Sequence, residues 1–192
     1  MVVTIDGPAG AGKSTVARAV AERLGYRHVD TGEMYRELTA VALERGVDLD
    51  DEAALAALVG TPLASAVDLR AERISANVSA VARHEPVRER MRARQRELAR
   101  DAVLEGRDTG TRVCPGAEVK IYLTASVAER ARRRASELGV PAADVELAIA
   151  ERDRRDALQL APAPDAHTLD TTGLDADGVI EHVIELVREA QT

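Results

Sequence analysis

Apolar residues in this chain occur either in short continuous runs or at every third or fourth position. The run at 2–5 is followed by a helical stripe that starts at Val16 and stops before Gly25, which predicts a buried strand and then a helix. Further strands are predicted at 28–30, 103–105, 119–123 and 167–169. Further helices are predicted at 34–42, at 51–58, from 86, from 126, over 142–158 and at 179–187. This alternation predicts an α/β fold with a parallel sheet covered by helices on both faces.

Residues 60–75 show no clear period, and we interpret Val67, Leu69 and Ile74 as fragments of strand. No linker or repeat divides the chain. A length of 192 residues suits one domain with a substantial core, so 1–192 is predicted to be a single domain.

Composition excludes several classes of protein. A net charge of −7 and an aromatic content of 2% argue against a general nucleic-acid binder, which needs excess positive charge and stacking platforms. The apolar runs are too short for a membrane span, so no membrane partner is expected. One cysteine cannot form an internal disulfide, which favours a reducing compartment, the cytoplasm. We expect a monomer.

The most informative motif follows the first strand directly. Gly7-Pro8-Ala9-Gly10-Ala11-Gly12-Lys13-Ser14 completes the pattern G-x-x-x-x-G-K-S between a strand and a helix. Such a loop can point backbone N–H groups at phosphates, while Lys13 adds a full charge and Ser14 offers a hydroxyl to Mg²⁺. The chain has 2 lysines and 24 arginines, so a lysine at this position indicates a need for a compact charge. A nucleoside triphosphate site is therefore predicted.

A phosphate loop alone leaves a small-molecule kinase, a regulatory GTPase and an ATPase motor open. The chain lacks the N-K-x-D run with which GTPases read guanine, and Glu105 is its one candidate for the water-activating acid of a motor. Arginines are frequent in segments that should border the cleft, as phosphoryl transfer requires. These are Arg36, Arg88, Arg107, Arg133, Arg134, Arg152 and Arg155.

Beyond this motif, the chain resembles the bacterial cytidylate kinases, which are nucleoside monophosphate kinases, over nearly its whole length. The most specific match is the segment 105–111, Glu-Gly-Arg-Asp-Thr-Gly-Thr. The other matching segments, in chain order, are 4–8, 30–32 with 35–36, 79–82 with 87–88, 120–126, 151–156 and 165–171.

The resemblance implies a P-loop kinase fold. Its sheet would have five parallel strands in the order 2-3-1-4-5, with helices on both faces. A short monophosphate-binding lobe would span 31–88, and a helical lid would span 139–164. The implied reaction transfers the γ-phosphoryl group of MgATP to CMP or dCMP, giving CDP or dCDP and ADP, within pyrimidine nucleotide metabolism.

The same resemblance implies roles for individual residues. ATP would be bound by Gly7, Pro8, Ala9, Gly10, Ala11, Gly12, Lys13, Ser14, Thr15, Arg133 and Arg134, and Mg²⁺ by Ser14 together with ATP phosphates and waters. CMP would be bound by Thr31, Arg36, Ser79, Arg88, Arg107, Asp108, Arg152 and Asp156. Within that set, Ser79, Arg88 and Asp108 would read the cytosine and Asp156 would hold the sugar. The catalytic cations would be Lys13, Arg36, Arg107, Arg152 and Arg155.

Two departures from the family pattern keep alternatives open. Gln159 stands where the family usually has a lid arginine, and only residues 61–78 are available for an insert that is usually longer. The alternatives are a P-loop kinase for another small acceptor, such as UMP, AMP or a shikimate-like acid, and a nucleotide-binding switch without kinase activity.

Overall fold

The computed structural model describes residues 1–157 and 159–191. The strands are β1 (Val2–Asp6), β2 (Arg27–Asp30), β3 (Ala102–Gly106), β4 (Val119–Thr124) and β5 (His167–Asp170). The helices are α1 (Lys13–Leu24), α2 (Thr31–Glu44), α3 (Glu52–Ala57), α4 (Glu72–Ser75), α5 (Val78–Ala82), α6 (Glu85–Leu98), α7 (Val127–Leu138), α8 (Ala142–Asp156) and α9 (Ala176–Glu189). A single wide helical turn spans Thr109–Val113.

The strands form one five-stranded sheet in the order β2-β3-β1-β4-β5. Strand β1 lies parallel to both β3 and β4, and β4 lies parallel to β5. This arrangement confirms the predicted fold and strand order. Among the described residues, no helix is long and apolar enough to cross a membrane.

Local sequence explains where several helices begin and end. Helix α1 ends at Gly25, whose φ of 68° is readily adopted only without a Cβ. Helix α2 begins after Asp30, whose carboxylate accepts a hydrogen bond from the backbone N–H of Glu33. Ser126 caps α7 and Asp175 caps α9 in the same way. Helices α2 and α9 begin at Thr31 and Ala176, before the predicted apolar stripes at 34 and 179, because the cap and the first turn do not require apolar residues.

The chain divides into two compact units. The first unit comprises 1–29 and 99–192, and its core joins buried residues of β1, β3 and β4 to those of α1 and α9. A smaller cluster of Ala131, Ala135, Val145 and Ile149 packs α7 against α8. The second unit is Asp30–Leu98, with a core of Leu38, Ala42, Leu55, Ala56, Val81, Val87 and Met91. The predicted boundaries of the single domain, the lobe at 31–88 and the lid at 139–164 stay predictions.

One part of the secondary-structure prediction is wrong. Val67 and Leu69 lie in irregular backbone and not in strand, and Ile74 is a buried residue of the short helix α4. Isolated apolar residues cannot distinguish a strand from a helix by period, and this segment has too few of them to show one. Helix α8 ends at Asp156, while Leu158 lies outside the described residues.

Strand register brings the functional loops of the first unit to one edge of the sheet. Asp6, the last residue of β1, pairs with Gly106 of β3 and with Tyr122 of β4. The phosphate loop follows β1, and Arg107 and Asp108 follow β3. Carboxyl ends of parallel strands are where this class of sheet binds ligands, so both segments lie at the expected place.

Candidate active site

The phosphate loop needs glycine where it turns most sharply. Gly7 has a φ of 147°, and a Cβ at this position would lie 2.0 Å from the carbonyl oxygen of Leu123. Gly12 has a φ of 91° and immediately precedes α1. The loop therefore leads straight into the first turn of a helix, where unpaired N–H groups and the helix dipole favour an anion.

Lys13 turns back over this loop. Its ammonium donates a hydrogen bond to the carbonyl oxygen of Pro8 at 2.8 Å. Burial, and then the positive charge of Arg107, hold the pKa of Lys13 well below its ordinary value of 10.5, while Glu105 opposes the shift. The positive charges of Lys13 and Arg107 therefore repel each other, and the negative charge of Glu105 compensates this repulsion only in part. An anionic phosphate would relieve that repulsion.

The carboxylate of Glu105 contacts Ser14, the residue that follows Lys13, and also His28. The hydroxyl of Ser14 donates a hydrogen bond to the buried carboxylate of Glu105 at 2.7 Å, and Nε2 of His28 lies 2.8 Å from the other oxygen of that carboxylate. The sequence suggested Glu105 only as a motor-type acid and gave His28 no role. Glu105 lies near the end of β3, the strand next to β1, and the phosphate loop follows β1. This position was the signal that could have identified Glu105 as a residue of the site.

Arg107 joins three parts of the first unit. Its Nη1 donates to the carbonyl oxygen of Gly7 at 2.6 Å, and its Nε donates to the carboxylate of Asp156 on α8 at 3.0 Å. Arg152, one turn earlier on α8, lies 3.7 Å from the same carboxylate. The structure thus brings together three of the predicted acceptor residues, Arg107, Arg152 and Asp156, next to the start of the phosphate loop.

Sequence reasoning missed a buried arginine in this region. Arg130 of α7 is 4% exposed and donates to the carbonyl oxygens of Ala9 and Ala125. Its Nη2 lies 2.6 Å from the carboxylate of Asp153 on α8. Because the chain has so many arginines, Arg130 had no distinguishing signal in the sequence. Its contacts link the phosphate loop to both α7 and α8.

Of the two arginines predicted to bind ATP, Arg133 lies near the phosphate loop. It donates to both the hydroxyl and the carbonyl oxygen of Thr171, and Glu129 accepts from its Nε at 2.8 Å. These residues border a cavity of about 150 Å³ that is also lined by the phosphate-loop residues Ala11 and Gly12. Arg134 instead pairs with Glu137 on a more exposed part of α7. Arg155, the predicted catalytic cation of α8, is exposed.

In the second unit, the structure brings Thr31 and Arg36 together at the start of α2. Nη2 of Arg36 donates to the carboxylate of Asp30 at 3.1 Å, next to buried Thr31. The Nε of Arg36 is buried and has no hydrogen-bond partner among the described residues. A buried donor without a partner is unfavourable, so this guanidinium has capacity for an anion.

Ser79 lies in α5 and Arg88 in α6 of the same second unit. Nη1 of Arg88 donates to the carbonyl oxygen of Ala82 at 3.5 Å, which ties the start of α6 to the end of α5. Asp108 belongs to the first unit, where its carbonyl oxygen accepts the backbone N–H of Arg112 at 2.8 Å. The predicted base-reading residues therefore come from both units, and their joint role stays a prediction.

The sheet order and the glycine loop together define a P-loop kinase fold. Solved structures of similar fold include a gluconokinase from Sinorhizobium meliloti 1021, with a TM-score of 0.56, 18% identity and coverage of 99% of this chain and 93% of that one. Another is the shikimate kinase from Acinetobacter baumannii, with a TM-score of 0.52, 16% identity and coverage of 97% and 92%. At these identities, the likeness concerns the fold alone.

Relatives found by sequence are much more similar to this chain in sequence than these solved structures are. The family model for cytidylate kinase matches residues 3–189. Cytidylate kinase from Shouchella clausii is 46% identical over 217 aligned positions, which cover 97% of this chain and 96% of the relative. Cytidylate kinase from Geobacillus kaustophilus is 47% identical over 216 positions, with coverage of 97% and 96%. The chain belongs to the cytidylate kinase family.

The alignments also reveal a difference in length. They run over 217 and 216 positions, whereas this chain has 192 residues in total. These relatives therefore carry segments that have no counterpart in this protein.

Proposed function

We propose that this protein transfers the γ-phosphoryl group of ATP to CMP or dCMP, giving ADP and CDP or dCDP. One structural observation carries the proposal beyond family membership. Lys13 and Arg107, from the predicted donor and acceptor sides, bond the adjacent carbonyl oxygens of Pro8 and Gly7. Cations assigned to the two substrates therefore meet at one loop, as phosphoryl transfer between two bound phosphates requires.

The donor side would be formed by residues 7–15 and Arg133. Lys13 would neutralise the ATP phosphates, and the cavity beside Arg133 and Thr171 would take the nucleoside end of ATP. Arg134 would join them only if it left Glu137, with which it is paired here. The affinity for ATP should therefore depend more on Arg133 than on Arg134.

Mg²⁺ fits the residues present at this site. The hydroxyl oxygen of Ser14 lies 2.7 Å from a carboxylate oxygen of Glu105. Mg²⁺ prefers oxygen ligands, and both groups could supply one. No group of three or more His, Cys, Asp or Glu that could hold a metal occurs within residues 1–157 and 159–191, which suits an ion held mainly by substrate phosphates and waters. When bound with ATP, Mg²⁺ neutralises charge on the phosphates. Ser14 would bind it, with Glu105 alongside.

On the acceptor side, Arg107 and Arg152 of the first unit would bind the monophosphate, and Arg36 of the second unit is assigned to the same group. The acceptor oxygen is already anionic, so these cations position it and no general base is needed. Asp156 would hold the sugar, and Arg155 would approach the transferred group when the lid at 139–164 excludes water. We expect the protein to act in the cytoplasm as a monomer.

The cytosine would be recognised by Asp108, Arg88 and Ser79. A carboxylate accepts a hydrogen bond from the cytosine amino group, which uracil lacks. A uracil would leave the Asp108 carboxylate without that donor, and polar pockets reject such mismatches strongly. CMP and dCMP should therefore be preferred over UMP.

An acceptor panel tests this proposal. ADP release from MgATP is measured with CMP, dCMP, UMP, AMP and shikimate, and Lys13→Met serves as the inactive control. We expect kcat/KM for CMP and dCMP to exceed that for every other acceptor by at least about 100-fold, which is less than the largest discrimination that polar pockets reach. Equal rates with AMP or shikimate would assign the protein to another acceptor. ADP release that no acceptor stimulates would favour the switch.

A further inference from the structure

Strand β1 carries an unusual polar face at the centre of the sheet. Thr4 and Asp6 are two residues apart, so their side chains project on the same side, and both are buried. The turn Thr109–Val113 packs on this side. A Cβ on Gly110 would lie 2.9 Å from Oγ1 of Thr4 and 3.4 Å from Oδ2 of Asp6, so only glycine permits this close approach.

The carboxylate of Asp6 holds the start of that turn through three hydrogen bonds. Oδ1 accepts from the backbone N–H of Thr109 at 2.9 Å and from the hydroxyl of Thr109 at 2.8 Å. Oδ2 accepts from the backbone N–H of Gly110 at 2.8 Å. Burial raises the pKa of Asp6, and these donors oppose that shift. A carboxylate kept in a buried position with three donors from one segment is well suited to fixing that segment.

The position of the turn matters because of what precedes it. Gly106 is paired with Asp6 in the β1–β3 register, and Thr109 is held by the Asp6 side chain. Only Arg107 and Asp108 lie between these two anchors. Both ends of this two-residue segment are therefore fixed to the same residue of β1.

We propose that Asp6 is a positioning residue for the acceptor nucleotide, because it fixes both ends of the segment that presents Arg107 and Asp108. This inference rests on the proposed function, in which Arg107 grips the monophosphate and Asp108 reads the cytosine. Asp6 itself does not touch the substrate. Its loss should let Arg107 and Asp108 sample other orientations and should weaken the use of CMP more than the use of ATP.

The hydroxyl of Thr109 offers a sharper test than Asp6, whose replacement risks misfolding. Thr109→Val removes the hydroxyl with little change of shape, and Thr109→Ser keeps the hydroxyl. Thr4→Val is the matched control, because Oγ1 of Thr4 is buried beside the same turn and has no hydrogen-bond partner among the described residues. Removing an unpaired buried hydroxyl should be neutral or stabilising.

Steady-state kinetics of the three variants, with CMP and ATP varied in turn, test the proposal. Thr109→Val should raise KM for CMP by about tenfold, as expected for one lost charge-assisted hydrogen bond, while KM for ATP stays within about twofold. Thr109→Ser and Thr4→Val should both retain the wild-type values. Asp6→Asn, if it folds, should show a larger change of the same kind.

Two results would overturn the positioning role. One is an equal rise in both KM values for Thr109→Val, and the other is equal behaviour of Thr109→Val and Thr4→Val. Failure of the proposed function is a separate outcome, since it would appear as a wild-type enzyme that does not use CMP at all.

Discussion

At the scale of single residues, the central feature is the half-buried side chain of Lys13. Burial and the neighbouring Arg107 disfavour its charged form, and the hydrogen bond to Pro8 keeps it over the phosphate loop. A bound phosphate is negatively charged, so it should stabilise the charged form of Lys13 and raise its pKa again. Part of the affinity for ATP should therefore appear as a change in the protonation of Lys13.

This leads to a prediction about protons. At a pH between the lowered pKa of Lys13 and its ordinary value of 10.5, part of Lys13 is neutral in the free protein, and bound phosphates restore the charge. ATP binding should therefore take up protons in this alkaline range, where the phosphates of ATP are ionised. Calorimetry in two buffers of different ionisation enthalpy measures this uptake.

Lys13→Arg is the matched control, because a guanidinium keeps its charge at every pH used. It should bind ATP without taking up protons. An uptake of the same size in wild type and Lys13→Arg would show that another group titrates. No uptake in wild type would show that Lys13 is already fully charged before ATP binds.

The predictability of the site also differs from residue to residue. The conformation of Gly7 and Gly12 is a local property, and the glycine pattern alone predicted the loop. The bond from Arg107 to Gly7 joins residues 100 positions apart, so it depends on strand order and register. Asp6 and Arg130 were missed because partners such as Thr109 and Ala9 lie far away in the sequence, and no local motif reveals these contacts.

At the scale of elements, α7 connects the phosphate loop to α8. Its buried Arg130 binds the phosphate loop and Asp153 of α8, and its Arg133 binds Thr171 after β5. Glu129, one turn before Arg133, holds that side chain. The orientation of Arg133 therefore depends on the charge of Glu129.

Glu129→Gln should consequently weaken ATP binding while leaving CMP use unchanged. Loss of the charge on Glu129 removes a charge-assisted partner of Arg133, and we expect KM for ATP to rise by roughly fivefold. Glu137→Gln removes the same charge from the same helix, where Glu137 pairs with Arg134, and it should not raise KM for ATP. Equal effects of the two variants would contradict a role for Glu129 in holding Arg133.

The same variant gives a pH dependence of stability. Hydrogen bonding to Arg132, and next to Arg133, lowers the pKa of Glu129 from 4.5 to about 2. An acid with a depressed pKa stabilises the fold above its ordinary pKa and loses that contribution as the pH falls towards its folded value. The wild type should therefore lose its stability advantage over Glu129→Gln between pH 4.5 and about 2 in urea unfolding experiments. An advantage that does not change over this range would contradict the shift.

Element prediction succeeded where apolar residues were dense and periodic. Helix α9 has five buried residues at helical spacing, and its predicted stripe at 179–187 lies within the observed helix. Helix α4 has one buried residue, Ile74, within four, which is too few to show a period. The surrounding fold decides the conformation of such a segment, so sequence alone gave the wrong structure.

At the scale of the whole molecule, the protein combines the five-stranded sheet of a P-loop kinase fold with a chain of 192 residues, fewer than the aligned positions of its relatives. The relatives align over more positions than this chain possesses, and they carry segments that it lacks. The predicted catalytic residues are nevertheless distributed over both of its units. We therefore expect the shortening to affect the choice of acceptor more than the ability to transfer a phosphoryl group.

Product analysis tests the central claim most directly. The protein is incubated with MgATP and CMP, and the nucleotides are separated and quantified over time beside a Lys13→Met control. We predict that CDP and ADP form in equal amounts and that the control forms neither. ADP formed without CDP, or CDP formation that survives Lys13→Met, would contradict phosphoryl transfer to CMP at this phosphate loop.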